Sequence, residues 1–166
     1  VTDATWSANA QHPSRAWVQQ LYAEVKYRSV YVVLGQKEHR NAITDAALSS
    51  GDMTLSGNAR PMPGLRMGFV DFQDIPFTNG WVQIEGEVGY YKSVQDSWLE
   101  NHFNYYNNFI TTDTWFNYKR CYFRTKPGER LSVTVGMQAS CQFAGSREMY
   151  AAGKVFFSDK SKATLK

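Results

Sequence analysis

The chain has 166 residues, a length that fits one domain with a real hydrophobic core. Its aromatic content of 15% favours β-structure, and it also suits membrane interfaces and sugar-binding surfaces. The net charge of +3 is small and the basic residues are scattered, which argues against nucleic acid as a partner. The sequence has no run of 18 apolar residues and therefore predicts no transmembrane helix. Strands of a membrane barrel are shorter and only half apolar, so a membrane protein is not excluded.

The first predicted element is a β-hairpin. Residues 17–27 alternate strictly between apolar and polar side chains, which is typical of a half-buried strand. The dipeptide Arg28-Ser29 makes a short turn, and residues 30–34 continue as a second strand that ends at Gly35. Residues 36–51 are polar and then small, and they predict a long loop.

Residues 52–59 predict a weaker strand. The segment 56–64 then reads Ser-Gly-Asn-Ala-Arg-Pro-Met-Pro-Gly, and its two prolines cannot donate hydrogen bonds to a sheet. This segment is therefore expected to end one strand and to begin the next, over residues 65–69.

Residues 81–91 form the clearest predicted strand. One face is apolar and carries Val82, Ile84, Val88 and Tyr90. The other face carries Trp81, Gln83, Glu85 and Glu87 and is the more polar of the two. Residues 92–118 are rich in aromatic and amide side chains, and they could hold a short helix within 95–110 or a strand near 103–110.

A second hairpin is predicted around the turn sequence Lys-Pro-Gly-Glu at 126–129. A two-residue turn would pair Phe123 with Ser132 and Cys121 with Thr134, which sets apolar residues against polar ones. We therefore expect a bulge that shifts the register by one residue and brings the apolar faces together. Cys121 and Cys141 are the only cysteines, and their spacing alone does not decide whether they form a disulfide.

The apolar face of these strands could point to a protein core or to lipid, since the alternation is the same in both cases. Strand length bears on the choice, because both 17–27 and 81–91 run for 11 residues. A bilayer-spanning strand needs about 9–11 residues, whereas a soluble strand usually has about 5–6. Aromatic residues at the strand ends also suit interfacial girdles: Trp17, Tyr27, Trp81, Tyr90 and Tyr91.

Several segments together resemble the capsule assembly Wzi family of bacterial outer-membrane proteins. The most specific is Asn58-Ala59-Arg60-Pro61, and the resemblance extends through residues 75–90 and 121–138 to cover roughly residues 20 to 150. The family implies an outer-membrane β-barrel with helices on its periplasmic side, which acts as a lectin that attaches capsular polysaccharide to the cell surface. This chain is much shorter than a family barrel, and the family's sugar-contacting residues cannot be placed on its positions.

We therefore predict an all-β fold, an antiparallel strand meander that is part of a transmembrane outer-membrane β-barrel. Residues 1–166 form a single barrel domain or a barrel fragment. Turns of such a barrel alternate between short periplasmic and long external ones. The predicted strands put 28–29 and 60–64 on the short side and 37–51 on the long side, but they also put 92–118 on the short side, which is a conflict.

The expected function is non-enzymatic: to bind or help assemble capsular or other surface polysaccharide at the cell outer membrane. Its partners would be that polysaccharide, outer-membrane lipid and other outer-membrane subunits, with no nucleic acid and no cofactor. One alternative is a porin-like channel or a structural subunit of an outer-membrane complex. Another is a soluble carbohydrate-active enzyme or a lipocalin-like binder.

Polysaccharide binding needs aromatic faces for sugar rings and amides for hydroxyl groups. One region supplies this mixture, and its residues are the candidate carbohydrate site, with structural packing as the alternative: Trp98, Tyr105, Tyr106, Asn107, Asn108 and Trp115. Glu85 and Glu87 could act as the acid and base of a glycosidase, but carboxylates two apart on a polar strand face more often pair with Arg or Lys. We assign no catalytic residue and no metal ligand, because the three histidines are far apart and no Cys-x-x-Cys occurs.

Overall fold

The structure is a computed structural model, and it describes residues 2–6, 16–41, 43–45, 47–57, 59–94, 108–125, 130–151 and 154–161. These residues form eleven strands and no α-helix. The first six strands are β1 (Thr2–Trp6), β2 (Ala16–Tyr27), β3 (Val30–Gln36), β4 (Pro63–Phe69), β5 (Gln73–Asp74) and β6 (Val82–Lys92). The remaining five are β7 (Asn108–Thr112), β8 (Trp115–Thr125), β9 (Thr134–Phe143), β10 (Gly145–Ala151) and β11 (Lys154–Ser161). Within this part of the chain no helix is long and apolar enough to cross a membrane.

The strands form two antiparallel sheets. The larger sheet follows the order β1-β2-β3-β4-β6-β8-β9, with β5 pairing beside β6, and the smaller one follows β11-β10-β7. Neighbours along the chain are mostly neighbours in the sheet, as in a meander. The predicted all-β antiparallel fold class is thus confirmed, whereas membership of a barrel stays a prediction.

The predicted first hairpin forms with its two-residue turn. Tyr27 pairs with Val30, and Arg28 in the turn has a φ of 51°, the positive value that tight hairpin turns require. Gly35 near the end of β3 has a φ of 113°. A side chain at this position would overlap the backbone of Leu21 and Tyr22 on β2, so only glycine fits.

The predicted strand at 52–59 is wrong. Among its described residues, 52–57 and 59, this segment takes part in one isolated bridge, between Gly51 and Ser56. The Asp52 carboxylate accepts hydrogen bonds from the backbone amides of Thr54 and Leu55 and holds the chain in a turn. Residues 37–62 are therefore one long connection between β3 and β4. With that strand removed, the segment after β6 lies on the same side of the sheet as 37–62, so its placement on the short-turn side was also wrong.

The second hairpin brings apolar faces together as expected, but in a different register. Phe123 pairs with Val135 and Cys121 with Met137, an offset of three residues from a two-residue turn rather than the one residue of a single bulge. Both cysteines are free, and they do not face each other across the two strands.

A long two-stranded ladder crosses from the larger sheet to the smaller one without a change of register. Trp115 pairs with Phe143 in the larger sheet, and Thr112 pairs with Ser146 in the smaller one. Between them, Asp113 and Gly145 have φ values of 55° and 103°, so both strands bend at one level. The strand β7 lies partly within the stretch predicted as strand or helix; residues 95–107 of that stretch lie outside the described part.

Candidate functional site

The two faces of the larger sheet have opposite character, and over the central strands β4, β6 and β8 the polar face is the buried one. Glu85 on β6 is 2% exposed and Arg120 on β8 is 7% exposed. On the other face, Val25 is 68% exposed, Leu34 63% and Met137 73%. A water-soluble domain normally buries its apolar side chains and exposes its charges, so this sheet has the reverse arrangement.

An ionic cluster occupies the centre of the polar face. Arg120 Nη2 lies 2.8 Å from Glu85 Oε1 and 3.4 Å from Glu87 Oε2, and Arg66 Nε on β4 lies 4.0 Å from the same Glu87 oxygen. His39 Nε2 lies 2.7 Å from Glu87 Oε1, and the Tyr31 hydroxyl donates to Oε2. Two carboxylates thus face two guanidinium groups, which balances charge where hydration is restricted.

Register explains why these side chains meet. Glu87 pairs with Gly68 on one side and with Arg120 on the other, and Arg66 pairs with Gly89. Cross-strand partners project to the same face, so alternating charged residues from three strands converge on one patch. The glycines beside them leave room for the long side chains.

The long connection between β3 and β4 folds over this patch. Its backbone at Arg40 accepts a hydrogen bond from Arg120 Nη1 at 3.3 Å. The Asn41 side chain donates to the Tyr122 hydroxyl at 2.9 Å and to Asp52 Oδ2 at 3.1 Å. The connection is therefore held against the strand wall by polar contacts rather than by apolar packing.

Asp52 is the main fastening point of this connection. Its Oδ2 accepts hydrogen bonds from the Tyr118 hydroxyl at 3.2 Å and from Gln138 Nε2 at 3.4 Å, while its Oδ1 accepts from Thr54 and Leu55. Burial acts to raise the pKa of the Asp52 carboxyl, but the hydrogen bonds outweigh it and lower the pKa to about 2. Asp52 is therefore ionised throughout the physiological range.

A cavity of about 470 Å³ lies between the start of this connection and the polar face of β2, β3, β4 and β6. We call it the wall cavity, and its lining includes Lys26, Tyr31, Arg40, Arg66, Glu85 and Arg120. Three atoms in its lining are buried and have no hydrogen-bond partner among the described residues: Arg66 Nε, Glu85 Oε2 and Arg120 Nε. The cavity can therefore donate to a ligand and accept from it within a small space.

Of the six predicted carbohydrate residues the structure describes two, Asn108 and Trp115, and these two lie apart. Trp98, Tyr105, Tyr106 and Asn107 lie outside the described residues. Asn108 begins β7 opposite Tyr150, and Trp115 begins β8 between Lys92 and Phe143 with 37% of its surface exposed. Seven residues of nearly continuous strand separate Asn108 from Trp115, a distance of about 23 Å.

Sequence reasoning placed Glu85 and Glu87 on one polar face, and both pair with Arg120, as the alternative to catalysis expected. It missed Arg66, His39 and Asp52. Arg66 had a visible signal, since it stands between Leu65 and Met67 in a predicted strand and so must face opposite them. His39 and Asp52 lie in a long connection, where no periodic signal exists.

Among the side chains that the structure describes, no group of three or more His, Cys, Asp or Glu is placed to hold a metal ion. Comparisons with protein-family models, with curated proteins and with solved structures found no match to the chain.

Proposed function

We propose that the chain forms part of the wall of an outer-membrane β-barrel that binds or helps assemble capsular or other surface polysaccharide, without catalysing a reaction. The observation that carries the membrane part is the reversed sheet, with an exposed apolar face opposite a buried charged one. Lipid satisfies such an apolar face, and a polar face suits the barrel interior.

Strand lengths support this placement. β6 and β8 each have 11 residues and β2 has 12, against the 9–11 tilted residues that cross a bilayer. Aromatic residues stand near both ends of this band, with Tyr27 and Trp81 at one end and Tyr90 and Trp115 at the other. Such residues favour the two membrane–water interfaces.

The polar contacts between the β3–β4 connection and the sheet favour a barrel whose lumen is partly filled over an open pore. Asn41 and Asp52 fasten residues 37–57 over the polar face, which would occupy part of the lumen of a channel. A lipocalin-like binder or a soluble enzyme would instead bury its apolar face in a core. Both arguments support the proposal of a membrane lectin over the porin-like and the soluble alternatives.

The polysaccharide part of the proposal rests on the resemblance of residues 20–150 to the Wzi family. Trp115 also supports it, since an exposed aromatic ring at a strand end can stack on a sugar ring. Its position puts it on the side of the sheet that carries the long connections, which in a barrel is the external side.

Two experiments test the proposal separately. Flotation with phospholipid vesicles, followed by electrophoresis with and without heating, tests insertion: we expect the chain to float and to migrate differently after boiling. A chain that stays in solution as a folded monomer without detergent would refute the membrane placement.

The second experiment measures binding of purified surface polysaccharide to the protein in detergent micelles. We expect Trp115→Ala to weaken binding by about tenfold, because a lost ring contact removes about 1–2 kcal/mol. The matched control is Trp81→Ala, which removes an exposed ring from the opposite end of the sheet and should leave binding unchanged. Equal effects of the two substitutions, or no saturable binding, would contradict a lectin role on this side.

A further inference from the structure

The wall cavity lies apart from Asn108 and Trp115, the two predicted carbohydrate residues that the structure describes. The wall cavity has a volume of about 470 Å³, which lies within the range of about 300–1,000 Å³ usual for small-molecule sites. Its floor consists of side chains that are themselves at least nine-tenths buried: Arg66, Glu85 and Arg120.

The hydrogen-bonding capacity of this floor is not used up within the protein. Arg120 binds Glu85 and Glu87 through Nη2, but its Nε has no partner among the described residues, and the same holds for Arg66 Nε. Glu85 accepts from Arg120 at Oε1 while its Oε2 has no hydrogen-bond partner among those residues. An unsatisfied buried donor or acceptor costs about 1–3 kcal/mol, so a side-chain rotation that brings one of these atoms to a ligand hydroxyl recovers up to that amount.

The distribution of charge points to the chemical class of the ligand. In the floor, two carboxylates face two guanidinium groups, and an anion or a cation would meet repulsion from one of these pairs. At the rim, Lys37 Nζ lies 2.8 Å from Glu24 Oε2, and Arg40 Nη2 lies 3.4 Å from Glu38 Oε1. The one excess charge in the lining is Lys26, which is half-exposed to solvent and lies 3.6 Å from Glu24 Oε1, so no buried charge is left unbalanced. The cavity therefore favours a neutral ligand.

A neutral ligand for this floor must also donate and accept within a few ångströms. A hydroxyl group can do both, so neighbouring hydroxyls on a sugar ring can donate to the Glu85 carboxylate and accept from the Arg66 guanidinium, two of the side chains that line the cavity. Hydrogen bonds to ionised side chains are the stronger kind, at about 1.5–3 kcal/mol each. The Tyr31 ring in the same lining adds a surface against which a sugar ring can pack.

From these observations we propose that the wall cavity binds one neutral saccharide unit, held by Arg66, Glu85 and Arg120. The proposal deepens the proposed function and rests on it, since it names the sugar class and a binding position for a glycan-handling protein. It differs from the Trp115 position, because the wall cavity lies on the polar face of the sheet with Arg120, whereas Trp115, an odd number of residues before Arg120 on β8, lies on the opposite face.

The test uses isothermal titration of the protein in detergent with neutral oligosaccharides (glucose, galactose and mannose oligomers) and with oligogalacturonate as a charged counterpart. We expect saturable binding of at least one neutral oligomer and weaker binding of the uronate. Binding of the uronate alone, or of no oligomer while the protein stays folded, would overturn the proposal.

Three variants locate the binding. Lys26→Trp fills the mouth of the wall cavity from a half-exposed position and leaves the buried floor intact, so it should weaken neutral binding by at least about tenfold. Its matched control is Thr134→Trp. Thr134 lies on β9, on the same polar face of the sheet as Lys26 but outside the cavity lining, so this variant should bind as the parent does. If both variants bind like the parent, the saccharide is not in the wall cavity.

Glu85→Gln makes a sharper distinction, because it leaves the floor with one excess positive charge. We expect it to weaken neutral binding by about tenfold and to strengthen binding of the uronate, a gain that a merely misfolded variant would not show. Loss of both ligands in a folded variant would argue against direct contact by Glu85. Vesicle flotation of each variant separates this result from the membrane proposal: normal insertion without saccharide binding refutes only the wall-cavity site.

Discussion

Arginine at Leu21 would place a charge at the middle of the exposed face of β2. Leu21 is 53% exposed and stands near the centre of Ala16–Tyr27, while Tyr27, at the end of the same strand and on the same face, is 66% exposed. If this face meets only water, either substitution should change the free energy of unfolding by less than about 0.5 kcal/mol. If it meets lipid, depth decides the cost.

The depth difference follows from the strand geometry. Six residues separate Leu21 from Tyr27, or about 20 Å along the strand, and a tilt of about 40° reduces this to about 15 Å along the membrane normal. That distance is about half a bilayer core, so Leu21 lies near the midplane when Tyr27 lies at the interface. An arginine costs about 2–4 kcal/mol at the midplane and about 0–1 kcal/mol near the interface.

We therefore expect Leu21→Arg to be less stable than Tyr27→Arg by about 2–3 kcal/mol, a factor of about 30–150 in the folding equilibrium. The assay is urea-dependent folding into short-chain phosphatidylcholine vesicles, followed by tryptophan fluorescence and by electrophoretic mobility without heating. The parent protein and the Leu21→Phe variant serve as the references for correct insertion. Equal stability of the two arginine variants would refute the inference that the exposed apolar face lies in lipid.

Three further predictions concern the polar face. The pKa of Asp52 is lowered from 3.8 to about 2, so its carboxylate stabilises the docked connection above pH 4 and loses this effect as the pH falls through 2. Asp52→Asn should therefore remove about 1 kcal/mol of stability after allowance for solvent screening. Amide exchange of residues 47–57 at pH 7 and pH 3 measures this loss, and unchanged protection would refute the role of Asp52. Arg120→Met removes the main partner of the buried Glu85 carboxylate and one of the partners of Glu87, and it should cost about 3–5 kcal/mol in a urea titration. A cost below about 1 kcal/mol would mean that water already reaches these carboxylates. Gly136→Ala puts a methyl group into the ring of Tyr122 and should lower the free energy of unfolding by about 1–3 kcal/mol. The control Ala139→Ser, on the exposed face of the same strand, should be nearly neutral. Similar denaturation midpoints for the two variants would contradict the close packing at Gly136.

The sequence predicted those parts of the fold that depend on local alternation. The β2–β3 hairpin and β6 follow from period-2 patterns that are visible within a window of about eleven residues. Residues 52–59 failed because a single carboxylate, Asp52, gathers nearby backbone amides into a turn, and side-chain capture of this kind overrides a weak strand pattern.

The polar site could be predicted only in part. That Glu85 and Glu87 share a face is a local property, but their meeting with Arg120 depends on which residues of β8 stand opposite β6, and the local pattern does not determine that register. The error of two residues in the predicted β8–β9 register shows the limit of this reasoning. Likewise, no sequence window reveals that His39 and Asn41 return to the wall from a long connection.

The common register of the β8–β9 and β7–β10 pairs determines how far the protein would reach from a membrane. The register is the same from Arg124–Thr134 to Asn108–Tyr150, about 53 Å along the chain at about 3.3 Å per residue, with a bend between the two sheets. With Trp115 at the interface, the seven residues before it would form a stalk of about 23 Å outside the bilayer, stiffened by β11 as a third strand. Because Asp113 and Gly145 bend together, the stalk would lean at its base as one piece and carry Asn108 at its tip.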